Sequence, residues 1–250
     1  MTVIAVLVDP PEPGLVLPEL AASDTLSASE AADLYEAMLK DVLRAVDRSG
    51  GDLLVNYRQG ADLPEAFSEV DAEAAVRATV ADALGGTDDV RFEVQVGSTP
   101  SARAGNTVTH LLGEEDVISA AFVRPTAAFL TRTLIDSAAM KLRSTPVVLA
   151  PSTDGRVSYA AFTDPIDFEG ALGDPELRTL ADRAADVDLG VDFVGLTPTL
   201  ERPGDLVTAL TLLDARRSAG RLVPQHTAAF VDDLGLDVVV DEDGRRVVRA

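Results

Sequence analysis

The stretch Val3-Ile4-Ala5-Val6-Leu7-Val8, followed at once by Asp9-Pro10-Pro11-Glu12-Pro13-Gly14, decides the fold class. An unbroken apolar run of this length suits a strand buried on both faces, and the proline-rich loop cannot continue it. A strand of that kind belongs in a parallel sheet covered by helices. Next, Ser27 and Glu30 make a capping-box pattern, and Ala31, Leu34, Tyr35, Met38, Leu39, Val42, Leu43 and Val46 recur at helical spacing up to Gly50-Gly51. Leu53 to Asn56 and Val90 to Val96 read as further strands, with a helix over Glu65 to Leu84 between them, ended by Gly85-Gly86. The alternation continues with a helix near Asn106 to Leu112, a strand Val117 to Phe122 and a helix from Thr126 to Leu142. Strands Val147 to Ala150, Val157 to Phe162 and Val191 to Gly195 follow, with helices within Pro175 to Ala185 and over Gly204 to Arg217. This rhythm predicts a three-layer α/β fold, a mostly parallel sheet with helices on both faces. After Pro224, a short helix and the pair Leu236 to Val240 and Arg245 to Val248, joined by Asp241-Glu242-Asp243-Gly244, predict a small C-terminal hairpin. We expect a main domain over residues 1–220 and an appendage over 221–250.

Composition narrows the function classes. The 250 residues are 46% apolar and 25% charged, enough to bury a core and too apolar for extensive disorder. With no cysteine there is no disulfide, thiolate nucleophile or zinc ribbon, and His110 and His226 cannot make a metal site by themselves. No apolar run approaches the ~20 residues of a membrane helix, and Met1 leads into a strand without a basic leader, so a cytoplasmic protein with no membrane partner is expected. The net charge of −21 would repel a nucleic-acid backbone. Of the 42 acids 28 are Asp, and of the 21 basic residues all but Lys40 and Lys141 are Arg. That bias resembles halophilic cytoplasmic proteins, whose self-repulsion is screened by molar salt. The acids are spread along the chain and read as a solvated coat rather than a docking patch. No Gly-x-Gly-x-x-Gly or Walker A pattern follows a strand, and Gly97-Ser98-Thr99-Pro100-Ser101 is not a nucleophile elbow.

The order of strand, Pro11-Glu12-Pro13-Gly14 loop and helix Ser29-Glu30-Ala31-Ala32-Asp33-Leu34-Tyr35-Glu36-Ala37-Met38-Leu39 resembles the start of small GT-A-fold nucleotide-diphospho-sugar-transferase-like proteins. The likeness is to a branch related to glycosyltransferases and to 2-phospho-L-lactate guanylyltransferase. It recurs in Val147-Val148-Leu149-Ala150-Pro151-Ser152-Thr153-Asp154-Gly155, similar to that branch's VVLGPAEDGG strand and loop, and more faintly in Thr197 to Leu206. It spans roughly residues 3 to 217. The resemblance implies glycosyl or nucleotidyl transfer from a nucleotide-activated donor, with a nucleotide or nucleotide sugar as partner and Mg or Mn as cofactor.

Such a site must neutralise clustered phosphate charge with protein cations, a carboxylate-held metal, or both. Against the family pattern, Gly14-Leu15-Val16-Leu17-Pro18-Glu19-Leu20 carries no basic residue. The family's metal-binding turn is Ala121-Phe122-Val123-Arg124-Pro125 here, which puts Val123 where a carboxylate is expected. Its Asp-Val-Asp-Thr run becomes Thr199-Leu200-Glu201-Arg202, and its Gln followed by Gly-Asp-Leu-Gly becomes Gln95-Val96-Gly97-Ser98-Thr99-Pro100. The expected site is therefore degenerate, with no metal and with Asp9, Pro13, Gly14, Arg124, Asp154 and Gly155 around a ligand. Arg124 either neutralises phosphate in place of a metal or pairs with an acid. Asp154 is a turn residue or a ligand contact, and Asp9 either caps its loop or faces the cleft at the carboxyl end of the first strand. A non-catalytic binding or scaffold protein on the same fold is the alternative. Convergence of Asp9, Asp154 and Arg124 in one cleft would favour the transferase, and an apolar or filled cleft the scaffold.

Overall fold

The computed structural model describes residues 2–241 and 244–249; Glu242 and Asp243 of the expected hairpin turn lie outside them. Seven strands form one sheet: β1 Thr2–Val8, β2 Asp52–Tyr57, β3 Arg91–Val94, β4 Ser119–Val123, β5 Val147–Pro151, β6 Val157–Phe162 and β7 Val191–Phe193. Their order is β3-β2-β1-β4-β6-β5-β7, and all are parallel except β6, which runs antiparallel to β4 and β5. Among the described residues eight α-helices accompany it: α1 Pro18–Ala21, α2 Ala28–Asp47, α3 Ala72–Leu84, α4 Pro100–Gly113, α5 Arg132–Lys141, α6 Glu176–Ala185, α7 Pro203–Ser218 and α8 Gln225–Asp233. β8 Leu236–Asp241 and β9 Gly244–Arg249 pair antiparallel as a separate hairpin.

Alternation along β1 divides the core in two. Ile4, Val6 and Val8 join Leu34, Met38 and Leu39 of α2 on one face, while Val3 and Ala5 join Val108 and Leu111 of α4 and Leu180 of α6 on the other. Both faces of β1 are thus dry, as an all-apolar strand requires. The Ser27 capping box is formed: its hydroxyl accepts from the Glu30 N–H at 3.3 Å and the Glu30 carboxylate accepts from the Ser27 N–H at 2.8 Å. Gly85 ends α3 at φ +83°, a left-handed position that suits glycine. Ala228 and Val231 of α8 and Leu236 of β8 are buried in the same cluster as α2 and α7. Among the described residues no helix is long and apolar enough to cross a membrane.

Several boundaries differ from the sequence reading. The helix expected from Glu65 begins at Ala72, because Asp71 caps it by accepting from the Ala74 N–H at 3.0 Å, and Glu65–Phe67 is a separate single turn. The helix expected near Asn106 starts at Pro100, where Thr99 caps the Ala102 N–H at 3.1 Å and Pro100 occupies the first turn. The helix expected from Thr126 starts at Arg132 behind the Thr131 cap, and residues 126–130 are a buried loop. The Val90 to Val96 strand is only Arg91–Val94, and α1 lies between the proline-rich loop and α2, where the sequence reading assigns no element.

Candidate functional site

Chain order reverses between β1 and β4: β2 and β3 extend the sheet on one side of β1, and β4 starts the other side. Open α/β sheets bind ligands at such a switch, beyond the carboxyl ends of the strands. A pocket of about 190 Å³ lies there, lined among others by Asp9 after β1, Gln95 after β3, Arg103 on α4, Arg124 after β4, and Glu201. Of the residues expected around a ligand, Asp9 and Arg124 come together here. Pro13 and Gly14 are exposed and do not line it; Gly14, at φ +85°, closes the turn. Asp154 and Gly155 also lie off it, the Asp154 carboxylate meeting Arg202 at 3.5 Å.

Asp9 is held by Arg58, one residue beyond β2, at 3.3 Å, and its N–H donates to the Tyr35 hydroxyl at 3.0 Å. Burial raises the Asp9 pKa above the usual carboxylate value and outweighs Arg58 and Arg103. Arg103 has no carboxylate within ion-pair distance among the described residues, and burial, then repulsion from Arg58, lowers its pKa. The Arg58 Nε is buried without a hydrogen-bond partner among the described residues. Two guanidiniums thus flank one carboxylate at the start of α4, whose own N-terminus adds partial positive charge.

Arg124 is not free in the same way. Its guanidinium donates to Glu176, to Glu201 at 3.2 Å, and to the Val157 carbonyl at 2.9 Å. Glu201 in turn accepts from Thr126 at 2.7 Å and from Arg156 at 3.1 Å, and Arg156 grips both Asp205 oxygens at 2.7 and 2.8 Å. The result is a chain of alternating charge, Glu176, Arg124, Glu201, Arg156, Asp205, joining the loops after β4, β5 and β7 to the first turns of α6 and α7. Burial raises the Asp205 pKa, but Arg156 and the Glu201 and Arg202 N–H groups overcome it and leave it below the usual value. Burial also raises Glu201, and there Arg124, Thr126 and Arg156 win. At Glu176 burial wins over Arg124, and the pKa lies above the usual range.

A divalent metal does not fit these residues. Val123 is fully buried in the core cluster on the α2 face, and Glu201 already accepts from two arginines and a threonine. Among the described residues no three His, Cys, Asp or Glu side chains gather as a metal-binding group. Elsewhere, His110 sits in the last turn of α4, 3.3 Å from Glu115, and His226 opens α8 against Arg44 at 3.3 Å.

Solved structures share this architecture. A protein from Desulfovibrio desulfuricans G20 assigned as a nucleotide-diphospho-sugar transferase superposes with a TM-score of 0.76 at 19% identity, over 93% of this chain and 94% of that one. The chain has the nucleotide-diphospho-sugar transferase fold. A cytidylyltransferase from Leptospira borgpetersenii serovar Hardjo-bovis matches at a TM-score of 0.50 and 9% identity, over 93% of this chain and 94% of that one. A 4-diphosphocytidyl-2C-methyl-D-erythritol synthase also matches at 0.50, with 13% identity, over 85% and 97%. No protein-family model and no curated protein matches the sequence. Sequence reasoning missed Arg103 and Tyr35, which line the pocket, and Arg58, which holds Asp9 from behind it; Arg58 follows a strand directly, and that placement is the available signal.

Acid should loosen the charge chain in a defined order. A carboxyl whose folded pKa is depressed stabilises the fold fully above its unfolded pKa and loses that contribution as pH falls through the folded value. Asp205 and Glu201 are of this kind, and their contribution drains away below about pH 4. Glu176 and Asp9 run the other way: protonation relieves their burial cost earlier in the descent, as pH falls through their raised folded values. Melting temperatures should hold nearly level down to about pH 5 and then fall, and Asp205→Asn should start lower and fall less steeply in the acid limb. A parent curve losing most of its stability above about pH 5 would contradict the assignment.

Proposed function

We propose that the chain binds the diphosphate of a nucleotide or nucleotide-activated sugar at the pocket between β1 and β4, with arginine rather than a divalent metal supplying the positive charge. Arg103 carries this reading. A half-buried guanidinium that faces a pocket, repelled by Arg58 and bonded to no carboxylate among the described residues, gains most from an anion. The reaction class is glycosyl or nucleotidyl transfer from such a donor, on a site whose metal ligation has been lost. Arg124 shields Glu176 and Glu201 from the ligand instead of contacting phosphate alone. The acidic, arginine-rich surface fits a salt-rich, halophilic cytoplasm. Residues 1–220 would form the transferase-like domain and 221–250 an appendage seated on α2.

One observation favours a non-catalytic binding or scaffold role on the same fold. At about 190 Å³ the pocket is smaller than the roughly 300–1,000 Å³ of organic-ligand sites, enough for a diphosphate but not for a whole nucleotide sugar.

Calorimetric titration of UDP, GDP and CDP into the parent, Arg103→Ala, Arg124→Ala and Asp154→Asn, with Mg²⁺ or with EDTA, separates the readings. Binding should survive EDTA. Arg103→Ala should weaken it at least ~10-fold, the worth of one charge-assisted hydrogen bond. Arg124→Ala should also weaken it, by leaving two carboxylates facing the anion, while Asp154→Asn has little effect because Asp154 lies off the pocket. Binding that vanishes with EDTA would restore an ordinary metal-dependent transferase, and no binding of any nucleotide would leave the scaffold role.

A further inference from the structure

A second concavity, of about 510 Å³, lies away from the strand ends that carry the candidate site. Its walls come from the last turns of α2, the buried loop leading into α5, α7, and the segment between α7 and α8. Four arginines line it: Arg44 in the last turn of α2 and Arg48 at its C-cap, Arg132 opening α5, and Arg216 on α7. In a chain with twice as many acids as bases this is a local reversal of charge. Arg132 pairs with Asp136 at 3.1 Å, but Arg44, Arg48 and Arg216 have no carboxylate partner among the described residues. Arg44 reaches only His226, and Arg216 reaches the Leu222 carbonyl at 3.4 Å and lies over the Phe129 ring at 5.1 Å. Asp41 is the one acid in the lining, and its carboxylate is consumed by the start of α8: it accepts from the His226 N–H at 3.1 Å and from the Thr227 N–H and hydroxyl at 2.8 Å. Apolar surface sits among these cations; Leu222 is 87% exposed at the rim.

Unpaired guanidiniums from two helices converging over apolar walls are arranged for a ligand with both parts. We propose that this groove is a second ligand site, for a small organic anion whose acidic head, phosphate or carboxylate, is held by Arg48 and Arg216 and whose apolar body rests on Leu222 and its neighbours. Its volume falls within the range of small-molecule pockets. Burial of Arg216 without a carboxylate lowers its pKa, in keeping with a cation that gains from an incoming anion.

Anilinonaphthalenesulfonate, an aromatic sulfonate that fluoresces when its body leaves water, is the probe, titrated into the full folded chain. The parent should bind it saturably at one site. Arg48→Ala and Arg216→Ala should each weaken binding ~10-fold or more, while Arg178→Ala, an exposed arginine on α6, leaves it unchanged. Arg48 is exposed and its guanidinium has no hydrogen-bond partner among the described residues, so Arg48→Ala leaves the fold intact, and an unshifted melting temperature verifies this. Phenyl phosphate and phthalate then compete with the probe: displacement by the first assigns a phosphate head, by the second a carboxylate head. The proposal is overturned if neither competes, if binding is unsaturable, or if both groove variants bind like the parent.

Discussion

Arg156→Ala should cost the protein ~3–5 kcal/mol, the usual effect of breaking a buried ion pair by removing one partner. Arg156 is 3% exposed and its guanidinium makes five hydrogen bonds: two to Asp205, one to Glu201, and two to Thr153. Its loss leaves Asp205, itself 3% exposed, with the Thr153 hydroxyl and two backbone N–H groups but no countercharge. Water cannot readily replace the guanidinium there, so the carboxylate must either stay charged at a cost or take up a proton. For a chain of this length the change corresponds to a fall in melting temperature on the order of 10 °C. The double variant Arg156→Ala with Asp205→Ala should lose less than the sum of the singles, because the second substitution removes the orphaned charge created by the first. Arg178→Ala, which breaks an exposed pair with Asp182, should shift the melt by no more than about 2 °C. An Arg156→Ala protein that melts within about 2 °C of the parent would show that the pair adds no net stability.

That network also shows where reading the sequence stops. The sheet was legible because its strands are apolar runs punctuated by glycine and proline, and α2 because its capping box and apolar stripe agree. Helix starts were less legible. Glu65 and Thr126 look like beginnings, but Asp71 and Thr131 have the side-chain geometry that satisfies the first free N–H groups. The site was legible only in part. Asp9 and Arg124 follow strands directly, so topology brings them to one end of the sheet. Asp154 shares that sequence logic, yet it sits at φ +56° in a turn that points it toward Arg202. The partners of Arg124 come from positions 52 and 77 residues away, and no local pattern announces such pairings. Arg103 escaped notice because its helix starts six residues earlier than the apolar spacing indicates.

Salt should raise the stability of this protein by roughly 2–4 kcal/mol between about 50 mM and about 2 M KCl. Two effects compete. Screening removes the benefit of exposed ion pairs such as Arg132 with Asp136 and Arg178 with Asp182, each worth at most about 1 kcal/mol. It also removes repulsion among the 21 excess negative charges. At separations of about 25 Å, set by the dimensions of a fold this size, each repelling pair costs roughly 0.2 kcal/mol in unscreened water, and 21 charges make about two hundred pairs. A Debye length of about 14 Å in the dilute salt still leaves on the order of a sixth of that sum, several kcal/mol, whereas ~2 Å in the concentrated salt leaves almost none. The expanded unfolded chain spaces the same charges far enough apart to feel little repulsion in either, so the difference acts on the native state. At the few tenths of a kcal/mol usual for an exposed pair, the pairs lost on screening sum to less than this repulsion, which therefore sets the sign, and the buried chain from Glu176 to Asp205, little reached by ions, persists in both conditions. Melting curves in the two salts should differ by on the order of 10 °C, the higher midpoint in concentrated KCl. Since sulfate also strengthens apolar burial, KCl and NaCl should act alike if charge screening is the cause, with most of the gain reached by about 1 M. Equal midpoints, or a lower one in concentrated KCl, would show that the acidic coat is already neutralised by the arginines lying among it.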